Sequence, residues 1–352
     1  GWDGKIISTG RIEHAKSFLD IISKLSLPCS YRPEENLIVF SYAEVECFLF
    51  LGPQADHFVA KKIELITNFF DSAIDKIKPD ALMGNVRDPI ALRYLSDISS
   101  YPVVMFLTED EYPKNDSPNA REFFELLKKI KTIVVASEFL QDSLFSQYGI
   151  RAQLLTNTVA TSLYKIKKDA PGRYISMMHP YIHKGVEVFL QIVESMPERE
   201  FMLMAGTGAE YRSLKARFMS LPNLTLASYT KDTSKVYENS RIIIVPSLWQ
   251  EAFSRVIIEA LCTGTPVIAS GRGGMRQAGG DAPYYVQIET SNKNSGHAER
   301  QSYNVSSWIK TIELLDNLDE YNAASERSLK RIVSYEKEMK DALLKLVKLL
   351  SQ

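Results

Sequence analysis

The sequence has little of what marks several large classes of protein. Its 352 residues include only three cysteines, Cys29, Cys47 and Cys262. They are odd in number, widely spaced and contain no Cys-x-x-Cys pair. That excludes a disulfide framework and a cysteine-rich zinc site, and fits reduced thiols in a cytoplasmic protein. No apolar run approaches the ~20 residues that span a bilayer, and the N-terminus lacks the basic and apolar regions of a signal peptide. Peripheral contact with a membrane is left open. Neither sign of charge prevails, since 42 Lys and Arg face 43 Asp and Glu for a net charge of -1. A nucleic-acid binder normally carries a basic excess, so no nucleic-acid partner is expected. His-Glu-x-x-His and Gly-x-Ser-x-Gly are missing, which leaves zinc hydrolysis and serine-nucleophile chemistry without visible machinery. The chain opens on Gly-Trp-Asp-Gly instead of Met. It is read as a processed chain or a domain of a longer polypeptide, and its first residues are given no functional weight.

What is present is the composition of a well-packed protein, 45% hydrophobic and 24% charged. The length exceeds what one hydrophobic core supports, so two domains are expected. From Arg173 onward, short β-branched or aliphatic runs alternate with helical patterns, the grammar of parallel strands joined by crossover helices. Strands are predicted at Arg173–Met178, Glu200–Ala205, Leu224–Ala227, Arg241–Pro246, Thr265–Ser270 and Tyr284–Gln287. The N-terminal half repeats the pattern less regularly, with strands at Lys5–Ser8, Asn36–Tyr42, Asp80–Gly84, Val103–Leu107 and Thr132–Ala136. Its clearest helix carries Val59, Ile63, Ile66, Phe70, Ile74 and Ile77 on one face before Pro79. Periodicity leaves Cys47–Leu51 undecided between strand and helix. Charge and a turn signal over Ser162–Gly172 mark a boundary. The expected division is therefore 1–165, 166–334 and a last helix in 335–352 that packs back on the first domain. The polar run Glu289–Tyr303 reads as a surface loop.

The most informative segment runs from Pro246 through Glu251 and Glu259 to Ser270. A strand ends at Pro246, a polar turn follows, a helix begins near Phe253, and Gly264 stops it. Glu251 then sits at the C-terminal edge of a parallel sheet, where open α/β sheets bind ligands. Glu259 lies roughly 9 Å further along the axis at 1.5 Å per residue. One carboxylate can take a sugar's hydroxyls and the other a ribose, with helix N-terminal amides between them facing a diphosphate. A first-turn glutamate complementing the helix dipole and a second one on a solvated face would account for the pair about as well. However, Val256, Ile257, Ala260 and Leu261 occupy the buried sides around Glu259, where an unpaired carboxylate is costly.

Glu251 and Glu259, with seven residues between them in Glu-Ala-Phe-Ser-Arg-Val-Ile-Ile-Glu, resemble the paired-glutamate motif of retaining glycosyltransferase family 4. Companion pieces follow in order: His183-Lys184-Gly185 opening a helix, Ala205-Gly-Thr-Gly208 after a strand, Pro246-Ser247, and Gly273-Gly274-Met-Arg-Gln-Ala. The similarity covers about Tyr174–Val286. It implies a GT-B fold, in which two Rossmann-like doubly wound domains face each other across a cleft. It also implies transfer of a sugar from a nucleotide diphosphate sugar, UDP-sugar favoured, with retention and without a metal or other cofactor. Lys184 would contact the donor diphosphate, Glu251 the sugar hydroxyls and Glu259 the ribose. The amides of Ala252, Phe253 and Ser254 would face phosphate or sugar, and Gly206 and Gly208 would admit a ligand close to the backbone. Glu251 and Lys184 are thus the candidate catalytic residues. Departures are visible. His179 stands where the family often has arginine, Ser254 where it has glycine, and Gln277 where it has glutamate. Whether His179 contacts phosphate stays open.

The N-terminal half, the expected acceptor domain, resembles the family much less. A histidine often found after the strand at Val103–Leu107 is missing, and Asn157 matches an asparagine that commonly ends the domain. The acidic run Glu109-Asp110-Glu111 could hold a metal, but no strict Asp-x-Asp exists in the chain and a solvated loop explains it better. The acceptor, a glycan, lipid or protein, is not encoded in any motif. A catalytically weak subunit that binds nucleotide sugar or a partner protein is the alternative, and the divergent N-terminal half favours it.

Overall fold

A computed structural model of the chain describes residues 5–11, 16, 19, 23, 28–32, 37–42, 45–52, 60–86, 89–108, 118–166, 168, 170–206, 208–228, 232–290 and 302–351. Val59, Glu109-Asp110-Glu111, Thr207 and residues 291–301 of the expected loop lie outside them. The chain divides into two compact units at Val103/Val104, ahead of the 165/166 boundary read from the sequence.

The first unit carries a sheet of strands β1 (Lys5–Arg11), β2 (Cys29–Arg32), β3 (Leu37–Tyr42) and β4 (Val45–Gly52) in the order β1-β4-β3-β2. Only β1 and β4 are parallel, while β2, β3 and β4 run antiparallel in sequence. This layer is therefore mixed. The undecided Cys47–Leu51 lies within β4, a run of apolar residues too short to have distinguished itself from a helix start. The predicted helix is α1 (Ala60–Ile77), which buries Ile66 and Ile74. Lys78 ends it with φ 49° ahead of Pro79, a position from which proline excludes helical backbone. Strand β5 (Leu82–Asn85) and helix α2 (Pro89–Asp97) complete the unit, with the Tyr94 hydroxyl donating to Asp71 at 2.6 Å.

In the second unit, β6 (Val103–Leu107), β7 (Thr132–Val135) and β8 (Gln153–Leu154) are parallel, with helices α3 (Pro118–Lys129) and α4 (Glu138–Tyr148) between them. The Ser137 hydroxyl caps α4 by accepting from Leu140 N, and left-handed Gly149 closes it. Six further strands form an all-parallel sheet: β9 (Tyr174–Met177), β10 (Phe201–Met204), β11 (Leu224–Ala227), β12 (Ser240–Val245), β13 (Val267–Ala269) and β14 (Tyr284–Tyr285). Their order is β11-β10-β9-β12-β13-β14, so the chain winds outward from β9 on one side and then crosses to its other side.

Both faces of this sheet are covered, as buried parallel strands require. On one lies α5 (Val186–Ser195), whose Val186, Phe189, Leu190 and Val193 pack with Trp308 and Ile312 of α10 (Ser306–Leu314). The other holds α7 (Ser234–Asn239), α8 (Arg255–Cys262), α9 (Met275–Gly279) and Tyr335. Helix α6 (Gly208–Ser220) follows β10. The expected loop at Glu289–Tyr303 begins and ends in a short antiparallel ladder, β15 (Glu289–Thr290) with β16 (Tyr303–Asn304). Tyr303 is buried there, which the polar sequence around it concealed.

The last helix, α11 (Leu318–Leu350), is twice as long as the stretch predicted from Tyr335, because Asn317 caps it by accepting from Asp319 N and Glu320 N. It ties the segment after β8 to the six-stranded sheet. The Tyr335 hydroxyl donates to the carbonyl of Asn157 at 2.5 Å, Thr161 donates to Glu336 at 2.7 Å, and Lys345 donates to the carbonyl of Leu154 at 3.1 Å. These bonds give a physical reason for residues 104–165 to group with the C-terminal sheet.

Candidate functional site

Strand order fixes where a ligand site can form. Between β9 and β12 the winding reverses, and at such a switch point the loops leaving two adjacent strands diverge and open a crevice at their carboxyl ends. The loop after β9 carries His179 to Gly185, and the loop after β12 carries Ser247 to Ser254. The sequence-predicted Lys184 and Glu251 thus stand on the two sides of the reversal.

The structure brings them together. Lys184 Nζ donates to Glu251 Oε1 at 2.7 Å, and the Ser247 hydroxyl donates to the same oxygen at 2.5 Å. Ser247 is in turn placed by Ser270, whose hydroxyl donates to the Ser247 carbonyl at 2.9 Å. The Glu251 side chain is only 12% exposed, which strengthens both hydrogen bonds relative to water. An ammonium has three donors and Glu251 takes one, leaving Lys184 able to reach a second anion.

Backbone contacts hold the two loops in register. The His183 carbonyl accepts from Leu248 N at 3.0 Å and Trp249 N at 3.1 Å. Gly185, at φ 81°, lies so close to Pro246 that an added Cβ would sit 1.8 Å from its carbonyl oxygen. The loop after β13 clamps Glu251 from the other side. Gly273 forms a parallel bridge with Glu251, and Gly274 N donates to the Glu251 carbonyl at 2.6 Å. A Cβ on Gly273 would meet Glu251 backbone at 2.3 Å, so the paired glycines are a packing requirement.

Glu259 is one of the few buried charged residues, 8% exposed on the inner side of α8. Its Oε2 accepts from the Tyr237 hydroxyl at 2.7 Å, and Arg255 approaches Oε1 at 3.8 Å. Burial pushes its pKa above the ordinary carboxylate range, and the hydrogen bond from Tyr237 opposes that rise. Among the described residues, no hydrogen bond or ion pair joins Glu259 to Lys184 or Glu251. It forms a second station, on α8, while Glu251 lies in the loop ahead of that helix, and Tyr164 from the preceding segment stacks edge-on against Tyr237 at 5.7 Å. Tyr237 left no signal in the sequence, being one aromatic on a buried helix face.

A raised folded pKa means that the folded state holds its proton more tightly than the unfolded chain, so stability falls as pH climbs from the ordinary carboxylate pKa through the folded one. Gln at 259 keeps an acceptor for Tyr237 and removes the charge. The expected result is that Glu259→Gln melts higher than wild type, with the gap opening across that pH window and then staying constant. Melting curves at stepped pH check it, and a gap that closes with rising pH would contradict the assignment.

The helix expected from Phe253 begins at Arg255, because Ser254 stands at φ 82° and ψ 83°. That backbone is where glycine is free and a side chain is strained, the physical reason for glycine at this position in the resembled family. The Ser254 hydroxyl makes no capping bond to α8. Ser254→Gly is therefore expected to stabilise the protein by about 1 kcal/mol, relief of strain being partly offset by a freer unfolded chain. Denaturant titration measures it. Phe253 is buried, its ring 6.1 Å from that of Tyr335. The Ala252 carbonyl lies under Gly274, 2.3 Å from where a Cβ would be.

His179 also has a left-handed backbone, φ 56°. Protein atoms crowding its ring, followed by the Lys184 ammonium, lower its pKa, so at neutral pH it supplies no arginine-like charge. Gly206, in the loop after β10, packs on Pro180 beside His179, where an added Cβ would meet the ring at 3.1 Å, and Gly208 opens α6. Gln277 has a role the sequence did not suggest. Its Oε1 accepts from Glu138 N at 2.6 Å and thereby satisfies a first-turn amide of α4. No group of His, Cys, Asp and Glu among the described residues is arranged to hold a metal ion.

The sheet is thus wound with a lysine–glutamate pair across its reversal and a second, buried glutamate in the helix that follows. Residues 173–294 match the family of glycosyl transferases group 1. No curated protein matches the chain. Among solved structures, Anabaena HepE in complex with UDP and glucose has a TM-score of 0.71 at 14% identity, over 99% of this chain and 99% of that one. Sucrose-phosphate synthase from Thermosynechococcus elongatus has a TM-score of 0.69 at 14% identity, over 89% and 86%. TarM, at TM-score 0.64 and 14% identity, is matched over 83% of this chain, which spans 58% of TarM. These likenesses establish a GT-B glycosyltransferase fold, and the group 1 match falls on the six-stranded sheet and its site. No helix among the described residues is long and apolar enough to cross a membrane.

Proposed function

We propose that the chain transfers a glycosyl unit from a nucleoside diphosphate sugar, with a UDP-sugar as the favoured donor, to a glycan, lipid-linked or protein acceptor with retention of anomeric configuration. The observation that carries this reading is the Lys184–Glu251 pair, 2.7 Å apart at the switch point of a group 1 glycosyl transferase sheet. In the reaction the anomeric carbon–oxygen bond breaks with its electron pair leaving on the diphosphate, and the acceptor oxygen takes its place as its proton passes to an oxygen of the departing diphosphate. Lys184 would neutralise the charge that develops on the departing diphosphate, where a fixed cation contributes most. Glu251, oriented by Ser247, would accept from the sugar's hydroxyls, and Glu259, held by Tyr237, from the ribose. Neither role calls on a metal. The complex of HepE with UDP and glucose supports a uridine nucleotide as the first donor to try.

A ligand that binds only the folded state raises its melting temperature in proportion to the logarithm of its concentration over Kd. UDP and UDP-sugars are expected to do so more than GDP or ADP, and Glu259→Ala is expected to lose most of the shift. If no nucleoside diphosphate or its sugar shifts the transition, the donor assignment fails. The neutral His179 and the strained Ser254 favour a second reading, a subunit that binds nucleotide sugar with little turnover. Calorimetric titration beside a transfer assay separates them, since tight donor binding without transfer to any acceptor supports the second reading alone.

A further inference from the structure

Helix α11 buries Tyr321, Ala324, Ser328, Ile332, Tyr335, Ala342, Leu349 and Leu350 and turns its other side to solvent. On that outer side Val333, Lys337, Lys340, Leu344 and Val347 follow one another at steps of three and four, so they share one stripe, with Leu343 and Lys348 beside it. The stripe runs about 21 Å at 1.5 Å per residue. Its apolar members are well exposed: Val333 71%, Leu344 62%, Leu343 47% and Val347 36%. From Val333 to the end of the helix the exposed charged residues are Lys337, Lys340, Lys345 and Lys348 against Asp341 alone. The two glutamates of the same stretch are already engaged. Glu336 pairs with Lys165 at 2.7 Å, and Glu338 pairs with Arg331 at 2.6 Å. In a chain of net charge -1, this is a local excess of positive charge laid over exposed leucine and valine.

We propose that this outer stripe of α11 docks on an anionic lipid bilayer. Two features select that occupant. Lysine is depleted from protein–protein interfaces, whereas on a helix lying in the membrane interface its long stem runs beside the apolar side chains while the ammonium meets lipid phosphates. A second copy of the same stripe would set ammonium against ammonium. The inference stands apart from the donor site, since lipid binding needs no nucleotide.

The test uses the whole chain and vesicles of phosphatidylcholine alone or mixed with phosphatidylglycerol. The protein is expected to sediment with the anionic vesicles and not with the neutral ones, and to be released by high salt as screening shortens the reach of the charges. Lys337→Gln with Lys340→Gln and Lys348→Gln is expected to weaken partitioning at least about tenfold. Leu343→Ser with Leu344→Ser is expected to weaken it comparably, with melting temperatures showing that both variants are folded. Leu344→Trp should move its emission to the blue on anionic vesicles. Absence of binding to anionic vesicles, or binding untouched by both sets of changes, would overturn the proposal. So would a blue shift that follows protein concentration without lipid, which would assign the stripe to a second copy.

Discussion

Lys184→Ala is expected to lower the rate of sugar transfer by about two to three orders of magnitude while leaving KM for the donor within a few-fold of wild type. The asymmetry is the informative part. In the resting site Lys184 already has an anionic partner, Glu251 at 2.7 Å, so binding a ground-state diphosphate exchanges or shares one anion for another and gains little. As the anomeric bond breaks, a further charge appears on the diphosphate oxygen, and only a cation held beside it lowers the barrier to that step. The loops keep the ammonium there. Lys184 cannot withdraw far, because the His183 carbonyl binds two amides of the loop after β12 and Gly185 lies against Pro246. Lys184→Arg, which keeps the charge but replaces a compact ammonium with a planar fork, should retain more activity than alanine and less than wild type. Steady-state kinetics with a UDP-sugar donor decides the matter. An alanine variant of unchanged kcat would remove Lys184 from the reaction, and one with only KM raised would make it a binding residue.

Much of this site could be read from the sequence because parallel sheets put chemistry at predictable places. The strand at 224–227 and that at 103–107 lie where their β-branched and aliphatic runs put them, and Glu251 lies in the loop that Pro246 announces. What stayed hidden depends on contacts between distant segments. Nothing local marks Tyr237 as the partner of Glu259, 22 residues away. Nor does the sequence say that Gln277 closes the first turn of α4, since that bond joins positions 139 apart. The ties between residues 154–161 and the last helix stayed hidden for a related reason. A linker is recognised by composition, but the bonds from Tyr335, Glu336 and Lys345 that tie this segment down come from the far end of the chain. In the first unit the antiparallel β2–β3 pair escaped because Cys29–Arg32 alternates too briefly to declare itself a strand. The late start of α8 follows from a single backbone angle, at Ser254, that propensity does not encode.

Among the described glycines of the second unit, Gly185→Ala should be the most damaging alanine substitution, with an expected loss of at least about 3 kcal/mol of stability. Two costs combine. A left-handed backbone costs a non-glycine residue roughly 1–2 kcal/mol by itself. The new Cβ would then stand 1.8 Å from the Pro246 carbonyl oxygen and 2.6 Å from its carbon, both main-chain atoms of a loop that cannot yield by changing a rotamer. The two loops must part, and the bonds from Leu248 N and Trp249 N to the His183 carbonyl stretch with them. Gly149 supplies the internal control. It has nearly the same sign and size of φ, 67°, yet an added Cβ there meets nothing within 4 Å. Gly149→Ala should therefore show the backbone cost alone, roughly 1–2 kcal/mol. The difference between the two alanine variants in urea titrations isolates the approach of one loop to the other. If they lose equal stability, the loops are not in the tight contact that holds Lys184 against Glu251. If Gly185→Ala folds but transfers sugar poorly, with Gly149→Ala near wild type, the spacing between the two strands at the switch point is itself part of the catalytic apparatus.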